Sequence, residues 1–168
     1  MPFDEKKAER ALKFISMLKL TGDYHGQPFL MMDWFERVVW DVYGTMNERG
    51  LRQYRDVYVE IPKKNAKSQG GSAISLLHLF HKSERNGQIY SVAGDRAQAS
   101  IIFFFSFEMI LQDKELEKRV RIQSAVTAII NKETGTLYRV LSAESDTKHG
   151  YSPTVVLFDE LHVQPNRK

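Results

Sequence analysis

The sequence predicts an α/β protein in which a mainly parallel sheet is flanked by helices and carries an added β-hairpin. Three observations predict it. Between residues 55 and 93 a β-type run, an apolar helical run and a second β-type run follow one another, the alternation that builds a parallel sheet covered on both faces. Near the end of the chain Val155, Val156, Leu157 and Phe158 form an unbroken apolar run, as expected of a buried strand. The two most suggestive polar segments, 63–68 and 159–160, each directly follow such a strand, where open α/β sheets bind ligands.

Taken in order, Ala8, Ala11, Leu12, Ile15 and Leu18 recur at helical spacing and predict an amphipathic helix over 4–20, with Asp4 and Glu5 favouring its dipole. Residues 21–28 hold two glycines and a proline and predict a loop. Leu30, Trp34, Val38, Val39 and Val42 mark a second helix ending near Gly44. After the polar stretch 47–53, the alternation of Val57, Val59 and Ile61 predicts a strand over 55–61 that stops at Pro62. Ala73, Ile74, Leu76, Leu77, Leu79 and Phe80 predict a helix ending near 83–87, and a strand follows at 88–93. A helix beginning after Gly94-Asp95-Arg96 runs through Ala99, Ile102, Phe103, Phe107 and Ile110 to the charged segment 113–119. Residues 121–130 and 136–142 predict two strands joined by the turn 131–135, whose Gly135 suits a hairpin. A polar loop, 145–153, precedes the last strand, 154–158.

The 168 residues are expected to form a single domain with a helical lead-in over 1–50, a size that hides roughly 70% of the unfolded surface. Hydrophobic content of 42% and charged content of 27% are globular values, which exclude a disordered or fibrous chain. The absence of cysteine removes disulfides, thiolate metal sites and zinc fingers, and agrees with a reducing compartment. The apolar run 101–105 is far too short to cross a membrane, and charges at 4–7 replace the apolar part of a signal peptide. The expected location is therefore a cytoplasm, without membrane association. A net charge of +3 is too small and too evenly spread to indicate nucleic acid by itself.

The segment with most chemistry is Ile61-Pro62-Lys63-Lys64-Asn65-Ala66-Lys67-Ser68. In a nucleotide-binding loop G-x-x-x-x-G-K-[ST], backbone N–H groups cradle phosphates, the lysine neutralises β and γ charge and the hydroxyl holds magnesium. Both glycines are missing here, and Gly70 and Gly71 come too late to replace them. Taken alone, the octet reads more readily as a basic, solvated turn than as a phosphate loop. A left-handed backbone at Ala66 would cost about 1–2 kcal/mol. The apolar run before Asp159-Glu160 has the form of a Walker B strand, with Asp159 suited to magnesium and Glu160 to polarising an attacking water. The two motifs in this order favour a P-loop ATPase.

Together IPKKNAKS, IYSVAGDRAQA and LSAESDTKHGYSPTVVLFDELH, in this order and at these intervals, resemble the N-terminal ATPase domain of the large terminase subunit of tailed bacteriophages, from about Gly26 onward. The resemblance implies a deviant Walker A loop with Lys63 as its early basic residue. It implies nucleotide binding by Lys63, Lys64, Asn65, Ala66, Lys67, Ser68 and Gln69, with Lys67 the phosphate lysine. Magnesium would be held by Ser68 and Asp159, and Glu160 would be catalytic. ATP and Mg2+ are the implied substrate and cofactor. Double-stranded phage DNA, the portal protein and a small terminase subunit are the implied partners, with a homo-oligomeric ring as the assembly and the host cytoplasm as location. Family members commonly have glycine where this chain has Ala66. Many carry an adenine-contacting glutamine near Trp34, whereas here Phe35 and Glu36 follow, leaving Gln27 as a speculative substitute. The chain is expected to be the front of a larger protein, stopping before the remaining strands and a ribonuclease-H-like nuclease domain.

Two alternatives are kept: an inactive truncated or split-gene fragment, and a non-catalytic module whose Lys63, Lys64 and Lys67 contact DNA. His78 and His81 lie one helical turn apart without a third ligand and are assigned no site. His162 and Arg96 read as loop and surface residues. Phe103 and Phe107 are expected in the core, while Phe104 and Phe105 make the aromatic cluster too continuous for one narrow face.

Overall fold

The computed structural model describes residues 1–62, 64–82, 85–93, 96–123, 127–142 and 152–159. They fall into two compact units, Met1–Lys67 and Ser68–Lys168.

In the first unit, α1 (Glu5–Ser16) is capped by Asp4, whose carboxylate accepts from the Lys7 N–H at 3.1 Å. This satisfies one of the donors that a helix start leaves orphaned. Ala8, Ala11 and Ile15 form its buried face. The helix stops short of residue 20. Phe29 N–H donates to the Leu18 carbonyl at 3.0 Å and Leu20 N–H to the Gln27 carbonyl at 2.8 Å, so 17–20 leaves the helix to pair with 27–29. Leu18 is still buried, which is why its spacing imitates another helical turn. A 3-10 turn, Gly22–Tyr24, lies within the predicted loop.

Helix α2 (Asp33–Gly44) packs on α1 and ends at the predicted glycine. Its buried face is Phe35, Val39 and Gly44. Leu30 lies before the helix and is 82% exposed, and Trp34 is half-buried with its ring 5.4 Å from that of Phe35. The strand predicted over 55–61 is corrected: no β-ladder includes those residues among the described ones, and Val57 and Tyr58 are exposed. Alternating apolar residues make a strand only where a neighbouring backbone takes up their N–H and C=O groups.

The second unit holds one five-stranded sheet of order β2-β3-β4-β1-β5. The strands are β1 (Gln88–Ala93), β2 (Val120–Gln123), β3 (Ala128–Asn131), β4 (Leu137–Ser142) and β5 (Val155–Phe158). β1 is parallel to both β4 and β5, while β3 is antiparallel to β2 and β4. The α/β architecture with an antiparallel addition is thus the one predicted. The helices are α3 (Lys67–Leu79), α4 (Arg96–Leu111) and α5 (Lys114–Lys118). α4 lies on β1 and β4, with the Phe103 ring 5.3 Å from that of Tyr138. Phe104, on another side of the helix, is 55% exposed.

The single strand predicted over 121–130 is two strands, β2 and β3, with Gln123 paired to Ala128. Thr127 supplies a left-handed residue, φ 48°, at the reversal. The predicted turn 131–135 does join β3 to β4. Gly135 has φ 75°, and a Cβ there would stand 2.5 Å from Asn86 Oδ1, so glycine is required twice over. Buried Asn131 accepts from Glu133 N–H at 2.8 Å and donates to the Leu79 carbonyl at 2.8 Å, fastening the turn to the end of α3. The apolar run of β5 is half-buried rather than enclosed, with Phe158 55% exposed, because β1 is its one ladder neighbour among the described residues. No helix among them is long and apolar enough to cross a membrane.

Burial holds the Tyr138 phenol above its ordinary value of 10.0, against a smaller opposing pull from hydrogen bonds with Ser91, Ser106 and Ser75. The folded protein therefore keeps this proton more tightly than the unfolded chain. The associated stability is complete below pH about 10 and is lost as pH rises through the folded value. Between pH about 9 and 11.5, the denaturation midpoint of the wild type should fall more steeply than that of Tyr138→Phe; parallel slopes would refute the linkage.

Candidate functional site

Residues 61–67 lead directly into α3. Among the described residues of this loop, Lys64 has φ 67° and Ala66 φ 55°, while Asn65 between them is not left-handed. Left-handed residues in a turn are among the backbone arrangements from which anion-binding nests are built. The Asn65 side chain donates from Nδ2 to the Pro62 carbonyl at 3.1 Å, closing the loop on itself. Lys64, Ala66 and Lys67 are exposed, and Lys67 is the first residue of α3. Helix N-termini carry unpaired N–H groups and partial positive charge, which favours anions at the start of α3.

Ser68 and Gln69 belong to the first turn of α3, Ser68 half-buried and Gln69 buried. The Ser68 carbonyl accepts from Ser72 Oγ at 2.8 Å. Asp159 follows β5 and is 7% exposed, its N–H donating to the Val92 carbonyl at 3.0 Å. That bond continues the β1–β5 pairing one residue past the strand, so the ladder itself fixes where the Asp159 carboxylate begins. A serine hydroxyl and a carboxylate are hard oxygen donors, the set that suits Mg2+ alongside substrate phosphates. Lys63 and Glu160 lie outside the described residues. Among the described residues no group of three or more His, Asp or Glu is placed to hold a metal.

Two features were not anticipated from the sequence. Lys64 takes the left-handed conformation as well as Ala66. Gly71, too late to serve the loop, packs closely instead: a Cβ there would stand 3.2 Å from Ile102 Cδ1. The run of small residues from Gly70 to Ala73 was the available signal for a close helix seam.

The fold and motif order agree with comparisons to known proteins. The family described as terminase large subunit, ATPase domain, matches residues 33–168. The large subunit of terminase from Enterobacteria phage HK97 is 30% identical over 157 residues, 92% of this chain and 30% of that protein. The crystal structure of the HK97 bacteriophage large terminase matches with a TM-score of 0.79 at 30% identity, covering 92% of this chain and 31% of that one. The chain therefore spans less than a third of the length of these relatives.

A left-handed alanine costs about 1–2 kcal/mol, partly offset in Ala66→Gly by the freedom glycine has when unfolded. Ala66→Gly should stabilise by about 0.5–1 kcal/mol in urea titrations, and Ala66→Val should destabilise by more than that. A destabilising Ala66→Gly would show that the loop does not keep this conformation in solution.

Proposed function

Because the chain belongs to the family of terminase large-subunit ATPase domains, we propose that it is the ATP-hydrolysing part of a motor that drives double-stranded DNA into a procapsid. The observation that supports the nucleotide site most is the left-handed backbone of Lys64 and Ala66 just ahead of α3. It favours a phosphate-cradling loop in the absence of the motif glycines.

In this proposal backbone groups of Lys63 to Gln69 bind the phosphates, and Lys63 adds an early positive charge. The Lys67 ammonium neutralises β and γ oxygens, acting most strongly as negative charge builds in the transition state. Ser68 Oγ and the Asp159 carboxylate hold Mg2+, which when bound screens phosphate charge and orients the nucleotide. Glu160 holds the attacking water and takes up its proton. The proposed partners are duplex phage DNA, a portal protein, a small terminase subunit and further copies of the chain in a ring, in the host cytoplasm.

Lys67→Ala should weaken ATP binding about 100-fold or more, through loss of charge-assisted hydrogen bonds. Titration with a fluorescent ATP analogue measures this directly, and unchanged affinity would sink the assignment. Glu160→Gln should bind ATP as the wild type does and lose about 100-fold or more in turnover. Sustained Mg2+-dependent hydrolysis by the wild-type chain would dismiss the inactive-fragment alternative. A purely DNA-binding role for the same lysines predicts instead duplex affinity that falls steeply with salt and ignores ATP.

A further inference from the structure

The half of α3 nearest the loop carries a cluster of small and hydroxyl residues, Gly70, Gly71, Ser72, Ala73 and Ser75, and Gly71 brings it close to Ile102 of α4. Through this seam runs a chain of hydroxyls. Ser72 Oγ lies 2.8 Å from the Ser68 carbonyl and 2.9 Å from the Ile102 carbonyl. Ser106 Oγ donates to the same Ile102 carbonyl at 2.8 Å and stands 2.8 Å from Ser75 Oγ. Ser75 Oγ also lies 2.8 Å from the Ser72 carbonyl, so its single proton serves either that carbonyl or Ser106 Oγ. The Tyr138 phenol on β4 hydrogen-bonds with Ser91 on β1, and its ring packs 5.3 Å from that of Phe103 on α4. Ser72, Ser75, Ser91, Ser106 and Tyr138 are each 0% exposed.

A packed core does not need these groups for stability. Replacing both members of a buried hydrogen-bonded pair by apolar groups of the same shape is often close to neutral. What hydroxyls add is direction. A seam of glycine, alanine and isoleucine is smooth and lets a helix slide along its axis or turn about it, whereas the bonds across it, 2.9 Å from Ser72 to the Ile102 carbonyl and 2.8 Å between Ser75 and Ser106, hold only in one register. The hydroxyls of α3 thus tie it to α4, which lies on β1 and β4, and Tyr138 on β4 is tied in turn to β1. β1 is also the strand that pairs with β5 and accepts from the Asp159 N–H.

We propose that Ser72, Ser75, Ser106, Tyr138 and Ser91 are positioning residues that fix the axial register of α3 on the sheet. They thereby set where Ser68 stands relative to Asp159. The functional half of this inference rests on the nucleotide-site reading, because those two residues are the ones assigned to Mg2+. The hydroxyls touch neither nucleotide nor metal; they act through the backbone of α3 and through β1.

Two variants of the full chain test it, Ser72→Ala and Tyr138→Phe, the second keeping the ring and removing only the hydroxyl. Without nucleotide, amide hydrogen exchange over residues 69–73 should speed up about 10-fold in each, while amides of β3 keep their wild-type rates. With a fluorescent ATP analogue, the gain in affinity on adding Mg2+ should shrink about 10-fold, and affinity without Mg2+ should change less than about 2-fold. Simple loosening of the core would weaken both affinities together and speed exchange throughout the sheet, and that result would overturn the proposal. Wild-type exchange rates over 69–73 in both variants would overturn it too. Local acceleration in a chain whose wild type binds no nucleotide would uphold the register role and refute the nucleotide reading instead.

Discussion

The second unit depends on one constraint: β1 must be hydrogen-bonded along both edges at once. Its residues pair in parallel with β4 from Gln88 to Ala93 and with β5 from Ile89 to Val92. Parallel strands cannot be joined by a tight turn, so the chain must leave β1, cross a face of the sheet and return. Helix α4 and the antiparallel pair β2–β3 occupy that excursion between β1 and β4. Because all three strands run the same way, Ala93, Ser142 and Phe158 come out at one end of the sheet. Asp159 therefore stands at the carboxyl end of the sheet as a consequence of strand direction, the position from which open α/β sheets address their ligands.

Elements whose residues lie in a well-defined environment were legible in the sequence. The bounds of β1 were read correctly, since a short β-rich run between turn residues has few competing interpretations. The end of α2 at Gly44 and the long apolar α4 were legible for similar reasons. Failures occur where the decisive partner is distant in sequence. Val57, Val59 and Ile61 alternate as a strand should, but the ladder that would make them one is not found among the described residues. Leu18 continues the helical spacing of α1, yet its backbone is claimed by Phe29. Residues 121–130 read as one strand because the reversal at Thr127 uses no glycine or proline to announce itself.

The candidate site was legible in its residue types and opaque in its conformation. Lys67-Ser68 at the start of a helix and Asp159 after an apolar strand could be placed by pattern alone. The hydroxyl chain could not. Its members are scattered over Ser72, Ser91, Ser106 and Tyr138, and a lone serine in an apolar stretch carries no signal of what it meets across a seam. The loop failed differently: a glycine pattern detects left-handed backbone only where glycine supplies it.

Lys64 and Ala66 adopt that backbone without glycine, at about 1–2 kcal/mol each. Strain of this size persists only where the surroundings over-determine it, and it concentrates at ligand clamps. Here the closing bond from Asn65 to the Pro62 carbonyl and the entry into α3 hold the two residues in place. The non-glycine residues bring a compensation of their own, because they restrict the unfolded chain more than glycine does and so less freedom is lost when the loop forms. A loop of glycines reaches the phosphate-cradling shape easily and also leaves it easily. A loop of lysine, asparagine and alanine, once closed at its ends, has fewer shapes to leave for. The missing glycines, which in the sequence count against a phosphate loop, are in the folded chain compatible with a stiffer version of one.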